Sequence, residues 1–240
     1  MSFLFKFLIA RIYKVFLASN VKYQPLELSD RNCLCLAPHP DDESIGMGGT
    51  LLKHGELFDI ICLTNGNRGI QGAATPREKA GIRKEEFLAA MKKLSVKTYD
   101  FWEYSDDREL MLHAEYFEKI NIADYDYIFL PNILDQHRDH KAVSILLKEL
   151  LKHKKHKKHL KIVFYEVWQT LALANYYVNI ADVKKQKTEL IDSYKSQNPT
   201  SYSSRILGLN TYRGSEQNPA EAFCMMDIGS FKKICKIYNF

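Results

Sequence analysis

The 240-residue chain lacks any apolar run long enough to cross a bilayer. Residues 1–20 are rich in Phe, Leu and Ile, but Lys6, Arg11 and Lys14 interrupt them too often for a spanning helix or a secretory h-region. Cysteine is sparse as well. Cys33, Cys35, Cys62, Cys224 and Cys235 form no disulfide framework and no C-x-x-C pair, and they read as reduced core residues of a cytoplasmic protein. There is no G-x-G-x-x-G. Gly46-x-Gly48-Gly49 is not that motif, and the carboxylates beside it would repel a pyrophosphate, which argues against a nicotinamide enzyme. No linker divides the chain, and 46% hydrophobic with 26% charged residues is the balance of a globular domain. One domain over residues 21–240 is expected, preceded by a separate segment 1–20.

Excess positive charge is confined to one stretch. Lys152, Lys154, Lys155, Lys157, Lys158 and Lys161 place six cations in ten residues, and without them the net charge of +5 would be −1. A nucleic-acid surface spreads its cations over a face and interleaves aromatics, so no nucleic-acid partner is expected. The three histidines of the run alternate with lysines that would repel a metal ion, and the run reads as a solvated helix end and loop. In residues 1–20 the three cations fall within a sector of about 140° at roughly 100° per residue, which predicts an amphipathic helix. Two roles stand for it: docking on the protein's own core or a partner subunit, or peripheral contact with the inner membrane face. Together with the basic run it tilts the expected substrate toward an anionic or lipid-linked one. The pattern does not bear on oligomeric state.

Short apolar runs at 32–37, 58–63, 97–101, 127–130 and 162–165 read as strands, with a later one at 221–226. Between them lie helical patterns. Thr75-Pro76-Arg77-Glu78 opens one that reaches Leu94, with Thr75 as N-cap, Pro76 at the first helical position and Glu78 as reciprocal cap. Others cover 113–122, 139–151 and 182–197. The alternation predicts an α/β fold, a Rossmann-like, mostly parallel sheet with helices on both faces.

Two of these strands end in chemistry. Ala37-Pro38-His39-Pro40-Asp41-Asp42-Glu43 follows the first, and His137-Arg138-Asp139-His140 lies just beyond the run at 127–130. In an open α/β sheet ligands bind at the carboxyl ends of strands, so the two motifs can meet. An imidazole and a carboxylate three residues apart, completed by an imidazole from the second run, form a nitrogen and oxygen donor set that suits Zn²⁺ and leaves a position for water. His39 and Asp42 can point the same way from a tight turn, leaving Asp41 free for proton transfer. Of eight histidines, three lie in the lysine run and three in these motifs, so only His54 and His113 remain.

The two motifs resemble the PIG-L/LmbE-like deacetylase superfamily of zinc-dependent N-acetylglucosaminyl deacetylases, whose signature is A-[HP]-H-P-D-D-E with a distant H-x-D-H. The resemblance extends over about residues 32–227, through Leu63-Thr64-Asn65-Gly66, Arg83-x-x-Glu86, Tyr165-Glu166-Val167-Trp168, Tyr194-Lys195-Ser196-Gln197 and Ala220-Glu221-Ala222-Phe223. It implies an LmbE-like fold that removes the N-acetyl group from an amino sugar and releases acetate. It further implies Zn²⁺ on His39, Asp42 and His140, with Fe²⁺ compatible with the same donors. Asp41 would be the general base, His137 the oxyanion stabiliser, and Asp139 the residue that orients His137. Arg83 is the implied substrate-binding arginine and Asp107 an implied sugar contact, with Asp106 an equal candidate on spacing. Two rivals share these residues: a zinc amidase acting on a non-sugar acyl amide, and a silent carbohydrate-binding protein. A spare carboxylate beside the ligands argues against the second.

Overall fold

The computed structural model describes residues 22–72, 74–106, 110, 114–197 and 202–238. The helix expected over 1–20 and the sugar contact expected at Asp107 lie outside these residues. One sheet contains β1 (Gln24–Pro25), β2 (Cys33–Ala37), β3 (Phe58–Cys62), β4 (Thr98–Phe101), β5 (Tyr127–Pro131), β6 (Lys161–Tyr165), β7 (Tyr176–Asn179) and β8 (Ala220–Asp227). Their order is β1-β7-β8-β6-β5-β2-β3-β4, with β8 antiparallel to both neighbours and every other pair parallel. The helices are α1 (Asp42–His54), α2 (Pro76–Leu94), α3 (Ala114–Phe117), α4 (Arg138–His153), α5 (Lys184–Asp192), α6 (Tyr202–Arg213) and α7 (Ile228–Ile237).

The central strand β2 shows why the sheet is covered on both sides. Its five residues are all buried, and successive side chains point to opposite faces. Cys33 and Cys35 join a core with Ile45 and Leu51 of α1 and Phe87 and Met91 of α2. Leu34 and Leu36 join a second core with Val143, Leu147 and Leu150 of α4 and Phe231 of α7. All five cysteines are buried and free. The expected capping box closes α2: Thr75 Oγ1 accepts from the Glu78 amide at 3.3 Å, and Glu78 Oε2 accepts from the Thr75 amide at 2.7 Å.

Several elements differ from expectation. The helix predicted over 182–197 is the nine-residue α5 between two 3₁₀ turns, Ala181–Val183 and Lys195–Gln197. In the stretch predicted over 113–122, the described residues hold the four-residue α3 and the start of a 3₁₀ turn, Ile122–Asp124. The two-residue β1 and four-residue β7 are too short to leave a periodic signal, and α6 and α7 were not anticipated. Among the described residues no helix is long and apolar enough to cross a membrane.

β2 and β5 are adjacent and parallel, but the chain leaves β2 into α1 on one face and reaches α4 from β5 on the other. Such a switch opens a crevice at the carboxyl ends of the two strands, and both motifs lie there. The glycines of α1 serve packing: a Cβ on Gly46 would sit 2.3 Å from the Tyr165 ring and 2.9 Å from the Glu166 carbonyl. The lysine run begins where α4 ends, 16 residues and about 24 Å from the helix N-terminus, and it leads into the amino end of β6. Its charge therefore sits at the far end of the sheet from the crevice and gives no support to an anionic substrate.

Candidate active site

His39 and Asp42 are fixed to each other by the turn between β2 and α1. Asp42 Oδ2 accepts from the His39 amide at 2.9 Å and lies 3.1 Å from His39 Nδ1. The other ring nitrogen, Nε2, is 3.1 Å from Asp139 Oδ2 and 3.2 Å from Asp106 Oδ1. A proton on Nε2 donated to a carboxylate leaves the Nδ1 lone pair facing Asp42, the usual way a metal-binding imidazole is set in its tautomer. Burial disfavours a charged His39, yet the hydrogen bonds from Asp106, Asp139 and Asp42 outweigh it and raise its pKa well above the ordinary value.

α4 supplies the second half. His140 is fully buried, with Nε2 3.2 Å from Asp42 Oδ2 and Nδ1 3.1 Å from Asp135 Oδ2. Both contacts are close but out of line, so neither ring nitrogen makes a hydrogen bond. Burial lowers the His140 pKa, but Asp42 and Asp135 push it up to about 9. Asp135 is itself anchored, accepting the His137 amide at 2.9 Å on one oxygen and the Trp168 and Gln169 amides at 3.1 and 3.3 Å on the other.

His137 is the N-cap of α4, and its Nδ1 accepts the Asp139 amide at 3.3 Å. The neutral ring must then carry its proton on Nε2. Burial, followed by the neighbouring His39 and His140, lowers its pKa and keeps it neutral. Its side chain is 39% exposed, and its ring meets that of His39 edge-on at 4.5 Å. Asp139 thus meets His137 through its backbone amide; its carboxylate is 3.8 Å from His137 Nδ1 and nearer to His39.

Asp41 occupies the N-cap of α1 but makes no capping bond with its side chain. Its φ of 130° is strained for a residue with a Cβ. Two groups hold it. The Arg83 guanidinium donates through Nη2 to the Pro40 carbonyl and lies 3.2 Å from Asp41 Oδ2. The Glu43 carboxylate accepts the Asp41 amide at 3.3 Å and is held at 2.7 Å by the Tyr194 hydroxyl, whose ring lies under the Arg83 guanidinium. Burial pushes the Asp41 carboxyl up to about 7, against the opposing pull of Arg83. Arg83 is 2% exposed, so the residue expected to meet substrate is turned inward onto Asp41. Gly66, at φ 60°, allows this close approach; a Cβ there would sit 2.9 Å from Arg83 Nε.

The donors suit a divalent cation. Four carboxylates, Asp42, Asp106, Asp135 and Asp139, surround three imidazoles, and His140 keeps two buried nitrogens without an aligned partner. Asp42 Oδ2 touches both His39 and His140, so the three expected ligands converge. Donor atoms of His39, His137 and His140 also fall within 4.8 Å of one another, as do those of His39, Asp106, His137 and Asp139. Reading the sequence missed Asp135, two residues before His137, and gave Glu43 and Tyr194 no role. Of the two spacing candidates for a sugar contact, Asp106 is the one described, and it stands beside His39.

Known proteins are similar to this chain in sequence and in fold. The sequence model of the PIG-L family, described as GlcNAc-PI de-N-acetylase, matches residues 34–151. A diacetylchitobiose deacetylase from Thermococcus kodakarensis is 26% identical over 195 residues, covering 70% of this chain and 71% of that protein. The N,N'-diacetylchitobiose deacetylase structure from Pyrococcus horikoshii superposes with a TM-score of 0.72 at 22% identity, over 96% of this chain and 95% of that one. The fold also hosts other chemistry: the 4-carboxy-2-hydroxymuconate hydratase of Pseudomonas putida matches with a TM-score of 0.60 at 18% identity, over 82% and 95%. With its paired motifs, its sheet and its His/Asp centre, the chain is similar to the PIG-L/LmbE-like N-deacetylases, whose family model it matches over residues 34–151.

Proposed function

We propose that the protein is a metal-dependent hydrolase that removes the acetyl group from an N-acetylglucosamine-type amino sugar, releasing acetate and a free amine. The observation that carries this reading is the pairing of a caged donor set, His39, Asp42 and His140, with a separate carboxylate, Asp41, that takes no part in helix capping. Zn²⁺ on those three residues would supply a Lewis acid for the acetamide carbonyl and would make water more acidic; Fe²⁺ suits the same donors. Asp41 accepts the proton of the attacking water and then delivers a proton to the amide nitrogen as the C–N bond breaks, so that the product leaves as a free amine. His137 presents Nε2–H at the mouth, where it donates to the oxygen that gains charge during attack. Asp139 and Asp106 hold His39 from behind, and Asp135 holds His140. Arg83 fixes the direction of the Asp41 carboxylate.

A sugar substrate is supported by the description of the matched family, by the disaccharide named for the Thermococcus relative, and by Trp168. That residue is 50% exposed, and its backbone amide donates to Asp135 Oδ2, the oxygen that lies 3.1 Å from His140 Nδ1. An exposed aromatic face beside a hydrolytic centre suits stacking against a pyranose. The test is acetate release from N-acetylglucosamine and its β-1,4-linked disaccharide, with the protein zinc-loaded, chelator-treated, and chelator-treated then resupplied. Metal-dependent acetate release is expected; release that survives chelation, or none from either sugar, overturns the reading.

A further inference from the structure

Tyr194-Lys195-Ser196-Gln197 supplies no ligand to the metal seat, yet three of its four side chains turn toward the groups that support Asp41. The segment is a 3₁₀ turn just beyond α5, closed by the Gln197 amide donating to the Tyr194 carbonyl at 2.9 Å. α5 is fixed in the core through Leu190 and Ile191, so the turn is carried on a rigid element. Lys195 alone of the four is exposed.

Each of the other three reaches a different part of one assembly. The buried Tyr194 touches both groups that hold Asp41: its hydroxyl donates to Glu43 Oε1 at 2.7 Å, and its ring centroid is 5.8 Å from the Arg83 guanidinium carbon. Ser196 grips Glu86, donating its amide to Oε1 at 2.7 Å and its hydroxyl to Oε2 at 2.6 Å; that second oxygen lies 3.6 Å from Arg83 Nη1. Gln197 Nε2 donates to the Gly69 carbonyl at 3.1 Å, and the Gly69 amide donates to the Gly66 carbonyl at 3.1 Å. Gly66 is the residue whose missing side chain admits the guanidinium. A Cβ on Gly69 would sit 2.8 Å from Gln197 Oε1, so glycine is what lets the two segments approach.

Asp41 needs such support. Its φ of 130° relaxes unless the surroundings enforce it, and its amide bond to Glu43 is long, at 3.3 Å. Arg83 is loosely bonded as well: Nε and Nη1 are buried without an aligned partner, so the ring under its head and the Glu86 carboxylate beside it settle where the guanidinium lies. A carboxylate that takes a proton from one water tolerates little displacement; an error of about 1 Å costs roughly 10²-fold in rate.

We infer that Tyr194, Ser196 and Gln197 are positioning residues for the general base: they hold Glu43, Arg83 and the turn at Gly66, which in turn hold Asp41, and they touch neither substrate nor metal. The inference rests on the reading of Asp41 as the base. Its first test needs no turnover. Exchange of the Asp41 amide proton, followed by NMR on the zinc-loaded protein, is expected to quicken about tenfold or more in Tyr194→Phe, while the Leu51 amide farther along α1 keeps its wild-type rate. Unchanged exchange at Asp41, or equal acceleration at Leu51, overturns the clamp. In acetate release, Tyr194→Phe is expected to lower kcat about tenfold with KM and zinc content unchanged, since the ring stays under Arg83 and only the hydroxyl is lost. Ser196→Ala is expected to lower kcat about threefold in wild type and not at all in Arg83→Met, because it acts through the guanidinium. Equal losses in the two backgrounds, a raised KM, or a comparable loss in Lys195→Ala makes the segment a general anchor and overturns the inference. Absence of turnover in wild type counts against the deacetylase, while the exchange rates still decide the clamp.

Discussion

Two clusters of buried charge sit along α1, and they are built on opposite principles. Where the helix departs from helical geometry at Met47, the Glu221 carboxylate accepts the Gly49 and Thr50 amides at 2.7 Å, the Thr50 hydroxyl at 2.6 Å and Lys187 Nζ at 2.6 Å. Lys187 also donates to Asn210 at 3.0 Å. Both charges are 0% exposed, and the carboxylate is saturated with donors. At the N-terminus of the same helix, carboxylates crowd imidazoles without satisfying them. Four of the five buried, unpartnered side-chain atoms among the described residues belong to Arg83 and His140. A charge cluster closed on itself has no room for a ligand. One that leaves nitrogens orphaned among surplus carboxylates is completed by something from outside, which separates structural from functional burial of charge.

The largest effect should come from breaking the open cluster. His140→Ala is expected to reduce zinc content, measured by elemental analysis of the purified protein, to background, and acetate release with it. Full retention of zinc would make His140 a packing residue. The closed cluster should fail in the opposite sense. Glu221→Gln leaves the Lys187 ammonium buried without its counter-charge, at a cost of about 3–5 kcal/mol in urea unfolding, while zinc content in the folded protein stays the same. Loss of zinc without loss of stability would dissolve the distinction.

Two finer changes sharpen it. His137→Ala should keep zinc yet lower turnover by about 10²–10³-fold, because it removes the Nε2–H donor and no expected metal ligand. Near-normal turnover refutes that role. Asp135→Asn should weaken zinc affinity by about 10–100-fold in competition with a chromogenic chelator, since Asp135 sets the orientation of His140 from behind. An unchanged affinity would mean that Asp135 serves only to hold the His137, Trp168 and Gln169 amides.

The open cluster was legible in the sequence because its parts are contiguous: His39 to Asp42 and His137 to His140 each follow a strand end, and a parallel sheet brings such ends together. The central strands were legible for the same local reason, five-residue apolar runs between helical patterns. What escaped notice depends on distant pairs. Nothing near Arg83 announces that its head turns inward, because its partners, Pro40 and Asp41, are over forty residues away. Tyr194 reaches Glu43 across 151 positions and Glu221 reaches Thr50 across 171. Edge strands of two and four residues leave no period to read, and a helix such as α5, flanked by 3₁₀ turns, shows its polar composition but not its ends.

The smallest expected change is also the one that decides what Arg83 is for. A substrate-binding arginine and an arginine that positions the base predict different kinetics for Arg83→Met. Loss of a substrate contact raises KM and leaves the acid limb of the pH profile in place. Loss of the Asp41 clasp lowers kcat with KM little changed. It also moves the limb, and the sign follows from the charges. Asp41 acts deprotonated, so activity is lost as pH falls through its pKa, which burial pushes up to about 7 while Arg83 draws it down. Removing the guanidinium leaves burial unopposed, so the limb shifts to higher pH; a bound cation lowers the pKa in both proteins, so the direction of the difference survives. Arg83→Lys keeps the charge but cannot bridge Pro40 and Asp41 with one planar head, so its limb should lie near that of wild type while its kcat remains low. Parallel pH profiles of the three proteins settle the matter, and a raised KM with an unmoved limb in Arg83→Met would return the residue to the substrate.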